Sequence, residues 1–149
     1  MKKQMPEPVL ISACLLGANT RYDGTAKPNE ELLQRLSGRW LVPVCPEQLG
    51  GLPTPRPRSF FRGGGGEDVL RGTATLINAA GRDVTEQFIR GAREVLLIAR
   101  VLGAKEAYFK SRSPACGMGQ IYIGEELCEG NGVCTALLMQ NGVEVHRVD

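Results

Sequence analysis

Apolar residues along this chain fall into short unbroken runs, with stretches between them in which apolar positions recur every three or four residues. Val9, Leu10 and Ile11, leading through Ser12 and Ala13 to Cys14, form one such run, the pattern of a strand buried on both faces. Trp40 through Val44, ending at Cys45, forms a second, although Pro43 within it cannot donate to a ladder. Ala107, Tyr108, Phe109 and Lys110 give a third, and residues 143–148 a fourth. Helical spacing fills the intervals. Pro28 suits the first turn of a helix running to Leu36, with Gly38 as its stop. The clearest helix carries Phe88, Ala92, Val95, Leu96, Ala99 and Leu102 on one face, with Thr85 as cap and Gly103 as terminator. Residues 132–138 begin a last helix. Residues 50–66, rich in Gly, Pro and Arg, read as irregular, and residues 69–72 with 74–78 as a small hairpin or a pair of extended arms.

Alternating strands and helices predict an α/β fold: a mostly parallel four-stranded sheet flanked by helices, Rossmann-like, with a small irregular or hairpin insertion around residues 50–80. The 149 residues fit one domain, 1–149. In such sheets ligands gather beyond the carboxyl ends of the strands. Cys14, Cys45 and Cys116 each stand at or soon after a predicted strand end, so three thiols from distant stretches are expected on one rim.

Composition narrows the chemistry. An apolar fraction of 42% and a charged fraction of 23% are ordinary for a globular chain. A net charge of +2 is too small to make nucleic acid the expected partner. No apolar run approaches the ~20 residues that cross a bilayer. The basic start, Met1 to Gln4, runs into Pro6 and Pro8 where a signal peptide would have an apolar core, so the expected compartment is the cytoplasm. Five cysteines, an odd number, argue against a disulfide framework, and no Cys-x-x-Cys pair exists. Thiolates bind iron–sulfur clusters and zinc, and a cubane with three cysteine ligands keeps one iron open. The competing reading is that the thiols are small buried hydrophobes. Gly63 to Gly66 lacks the Gly-Lys-Ser/Thr of a phosphate loop and reads as a mobile surface turn or lid. His146, the sole histidine, leaves no partner set for a histidine triad, and no dinucleotide fingerprint follows the first strand. Arg21, Tyr22 and Asp23 either line a pocket or tie down the first loop, and Arg56 and Arg58 meet either an anion or solvent.

Four blocks carry a resemblance: Ser12 to Gly17 with Arg21 to Gly24, Pro43 to Glu47 with Gly50 to Arg56, Lys110 to Gly117, and the tail from Leu137 to Val145. Together, in this order, they resemble the DUF523 family of thiouracil desulfidases over nearly the whole chain. The resemblance implies a [4Fe–4S] cluster held by Cys14, Cys45 and Cys116, whose open iron accepts the sulfur of a thiocarbonyl such as 2-thiouracil, giving uracil. It also implies that a carboxylate and a serine assist, at Glu47 and Ser113, with Ser111 a rival in the same loop. Cys128 and Cys134 have no place in that pattern, although Cys128 as a fourth ligand would close the cluster. The alternative, from another class, is a non-catalytic metal- or cluster-bearing module that binds or senses a small ligand. Nothing in the residues separates free base, nucleoside and nucleotide as substrate, or fixes the oligomeric state.

Overall fold

The structure, a computed structural model, describes residues 6–149. The basic start read above for targeting lies outside the described residues. In chain order the elements are β1 (Pro8–Ser12), a 3-10 turn over Ala13–Leu16, α1 (Glu30–Arg35), β2 (Trp40–Val44), α2 (Pro46–Leu49) and β3 (Ser59–Arg62). Then come α3 (Gly66–Arg71), β4 (Thr75–Asn78), α4 (Thr85–Leu102), β5 (Glu106–Lys110), β6 (Gln120–Ile123), β7 (Glu126–Glu129), α5 (Val133–Gln140) and β8 (Glu144–Val148).

The first sheet has the order β2-β1-β5-β8, every pair parallel, which is the four-stranded parallel sheet the alternating pattern predicts. Central β1 is an unbroken apolar run because both of its faces are covered. Leu10 packs into a core with Phe88 and Val95 of α4 and Leu138 of α5, while Ile11 points the other way, toward Leu32 and Leu36 beneath α1. Pro43 is tolerated because β2 is the edge strand.

The 50–80 insertion is more ordered than its composition suggests. β3 pairs antiparallel with β4 and parallel with β6, and β6 with β7 forms a hairpin, giving a second sheet of order β4-β3-β6-β7. Residues 69–72, expected to be extended, instead belong to α3 and its end. Asp68 Oδ2 accepts the Gly65 N–H at 3.0 Å, and Gly72 closes the helix at φ 82°. Gly65 and Gly66 are buried, and a Cβ at Gly66 would overlap the backbone of Gly132, so the second half of the glycine run is a packed joint, while exposed Gly63 keeps the character of a surface turn. Two helix starts also shift. Asn29, whose Oδ1 accepts the Leu32 N–H at 3.0 Å, caps α1 one residue after Pro28. At α4 the cap position is Val84; Thr85 Oγ1 instead accepts the N–H of Leu76 at 2.9 Å, tying the helix to β4. Among the described residues, no helix is long and apolar enough to cross a membrane.

Candidate active site

Because β1, β2 and β5 run parallel, their carboxyl ends share one edge, and the chain leaves that edge three times through a thiol. Cys14 lies in the turn after β1, Cys45 is the residue between β2 and α2, and Cys116 follows the loop after β5. All three line one cavity of about 360 Å³, at the small end of ligand sites. Glu47 and Ser113 line it too. The three thiols expected on one rim thus share a cavity with Glu47 and Ser113, the two residues that the resemblance alone implied.

Burial dominates the thiols' electrostatics. Cys116 is pushed well above the ordinary thiol range by desolvation first, then by Cys134 behind it; a hydrogen bond with Ser12 works against this, and Cys45 and Cys14 add to the rise. Burial, then Cys45, raises Cys14, against the opposing pull of Arg21 and Lys110. Burial likewise raises Cys45, opposed by the Gln48 backbone N–H and by Arg56. Lys110 is lowered by burial and then by Arg21. Burial thus disfavours the thiolate at all three positions, a cost that a bound metal centre would offset by taking the charge.

Glu47 sits in the first turn of α2, two residues past Cys45. Its Oε2 accepts a hydrogen bond of 2.6 Å from Arg56 Nε, an ion pair with side chains only 12% and 4% exposed. Arg56, read from sequence as facing an anion or solvent, therefore faces this carboxylate. Its Nη1 also donates to Thr54 Oγ1 at 2.8 Å and the Pro53 carbonyl at 3.2 Å, and its Nη2 to the Thr20 carbonyl at 2.9 Å. Ser113 Oγ reaches Glu47 Oε1 at 3.5 Å and accepts the N–H groups of Ala115 at 3.2 Å and Cys116 at 3.1 Å. Ser111 is buried on the same wall, but its hydroxyl meets Lys110 Nζ at 3.3 Å instead of the carboxylate.

Of the first-loop residues, Arg21 and Tyr22 line the cavity, whereas Asp23 binds Thr25 and ties the loop to itself. Arg58 lies over the ring of Tyr122 at 4.7 Å, and that ring also lines the cavity. Sequence reasoning missed Tyr122, along with Ser12 and Lys110 as wall residues; the only signal for the last two was their place inside the Ser12 and Lys110 blocks. The remaining candidates lie elsewhere. Cys134 is fully buried in α5, and Cys128 is on β7 of the second sheet. His146 stacks on Tyr108 at 4.5 Å and groups with Glu106 and Glu144 within 4.8 Å, but Arg39 Nη1 already occupies Glu106 at 2.7 Å.

Fold and site together define a class: an α/β protein whose parallel-sheet rim presents three thiols beside a largely buried carboxylate, a soft donor set of the kind that metal centres take. Residues 9–149 match the model of the 2-thiouracil desulfurase family, and the chain belongs to that family. It is 41% identical over 140 residues to the uncharacterized protein YbbK of Bacillus subtilis (strain 168), covering 92% of this chain and 93% of that one. Its structure is similar to that of the [4Fe-4S]-dependent thiouracil desulfidase TudS (DUF523Vcz), with a TM-score of 0.81 and 39% identity over 95% of this chain and 90% of that chain.

The donor set fits such a cluster. Three thiols from distant stretches of chain, the soft ligands that iron–sulfur clusters take, line one cavity.

Proposed function

We propose that this protein is a [4Fe–4S]-dependent desulfidase that hydrolyses the C–S bond of a thiolated pyrimidine such as 2-thiouracil, releasing uracil and sulfide, with residues 1–149 acting as one α/β unit. The observation that carries this reading is the convergence of Cys14, Cys45 and Cys116 with Glu47 and Ser113 on one cavity at the strand ends of a member of this family. Cys14, Cys45 and Cys116 hold the cluster. When bound, the cluster supplies an iron free of protein ligands, a Lewis acid soft enough for a thiocarbonyl sulfur.

The chain's own residues do the rest. Glu47 takes a proton from the water that attacks the thiocarbonyl carbon and returns one to the products. Ser113, anchored by two backbone N–H groups, hydrogen-bonds the carboxylate and orients the water beside it. Arg21, Arg58, Lys110 and Arg112 line the cavity, offset the charge of three thiolates and suit an anionic substituent on the pyrimidine. Five free cysteines suit a reducing compartment, the cytoplasm.

Anaerobically reconstituted protein should be brown, contain about four irons and four labile sulfides per chain, and consume the thiocarbonyl absorbance of 2-thiouracil. Glu47→Ala should keep the iron and lose roughly 10²–10⁴ in rate. A fully loaded protein that binds 2-thiouracil without turnover is a binding or sensing module, and this reading is then wrong.

A further inference from the structure

Arg56 is a buried cation that the desulfidase chemistry leaves without a task. Its guanidinium makes four hydrogen bonds, to three separate pieces of chain. One goes to Glu47 in α2, two to Pro53 and Thr54, and one to Thr20 in the loop that follows Cys14. Its backbone N–H adds a bond to the Tyr22 carbonyl at 2.8 Å. A planar fork held at this many points has no freedom to turn, so whatever rests on its Nε is fixed with it.

What rests there is one oxygen of Glu47. Oε2 is engaged by Arg56 at 2.6 Å, while Oε1 is turned toward Ser113 at 3.5 Å. The two carboxylate oxygens are therefore not equivalent. We propose that Arg56 is a positioning residue that locks Glu47 with Oε2 engaged and presents Oε1 to the substrate, making Oε1 the atom that takes the proton from the attacking water. This rests on the desulfidase reading given above. Placement of a base is worth large factors in rate, since an error of 1 Å costs about 10²-fold. Arg56 never touches the substrate in this role; it acts through Glu47.

Arg56→Lys tests the assignment, because lysine keeps the charge and can still reach one acceptor but cannot hold three segments in a plane. The loaded variant should have wild-type iron per chain, a KM for 2-thiouracil within about twofold, and a kcat lower by about tenfold or more. Its crystal structure, a reading independent of turnover, should show the Glu47 carboxylate rotated away from Ser113. An unchanged kcat overturns the proposal. So does a kcat that falls only in step with lost iron, or a lowered kcat with Glu47 unmoved. Should the lysine variant not fold, Thr54→Val removes one acceptor of the fork from a partly exposed site. A several-fold fall in kcat at constant KM then supports the assignment, and wild-type kcat overturns it. Loaded wild-type protein that leaves 2-thiouracil untouched defeats the functional reading instead, and the position of Glu47 in Arg56→Lys still decides whether Arg56 locks it.

Discussion

A cysteine that ligates a metal and a cysteine that merely packs can be equally buried, so burial alone does not sort the five thiols. Cys116 and Cys134 are 5% and 0% exposed, yet only Cys116 opens on the cavity at the strand ends. Cys14→Ala, Cys45→Ala and Cys116→Ala should each lose most of the cluster iron, while Cys128→Ser, altered outside the lining of that cavity, should keep wild-type iron after anaerobic reconstitution. Equal iron across all four variants would reject the ligand assignment. Ser113 has a different kind of role. Its Oγ satisfies two backbone N–H groups that lead into Cys116, so Ser113→Ala should cost about 1 kcal/mol of stability and slow turnover less than Glu47→Ala does, measured by urea unfolding and by rate. The three rim thiols were legible in the sequence because strand ends in a parallel sheet point one way. Arg56 was not. Its partners at residues 20, 47 and 54 become neighbours only when two loops fold back on α2, and no spacing rule encodes that.

At the scale of elements, the placement of α2 matters most, since this single turn follows Cys45 and carries Glu47. Its seat against α4 is made by two glycines. A Cβ on Gly91 would overlap the Pro46 carbonyl, and one on Gly50 would overlap the Gln87 carbonyl. Gly91→Ala should therefore cost about 1–3 kcal/mol by overpacking, outweighing the ~1 kcal/mol that alanine gains over glycine within a helix. A lower urea midpoint and slower turnover are expected together, because α2 must move to make room; a raised midpoint would show that the helices separate freely. The long elements were readable from periodicity and the short ones were not. α4 shows five turns of apolar spacing, whereas α3 has six residues, too few to distinguish a helix from an arm. The β6–β7 hairpin stayed hidden because Glu126, Leu127 and Glu129 are all exposed, which erases the alternation a half-buried strand displays.

For the molecule as a whole, the question is whether the fold needs its cluster. The parallel sheet has its own core on both faces, with Leu10, Phe88 and Phe109 on one side and Ile11, Leu32 and Leu36 on the other, none of which depends on a metal. The stripped protein should therefore remain folded, unlike a zinc finger, whose few residues cannot bury a core. On the proposed ligand set the cluster would nevertheless join three segments far apart in sequence, and a ligand bound only by the native state stabilises it by mass action. A cross-link closing loops of this length is worth about 3 kcal/mol or more. With about 2–4 °C per kcal/mol for a chain of this size, loading should raise the Tm by roughly 6–12 °C. Circular dichroism melts of anaerobic loaded protein and of chelator-stripped protein measure the difference. Far-ultraviolet spectra of the two forms should coincide at low temperature, since the strands that deliver the thiols are already paired. If the stripped chain instead loses its helical signal, the rim is built by the cluster. Three thiols arranged in advance by the ends of a parallel sheet would then be the wrong account of the site.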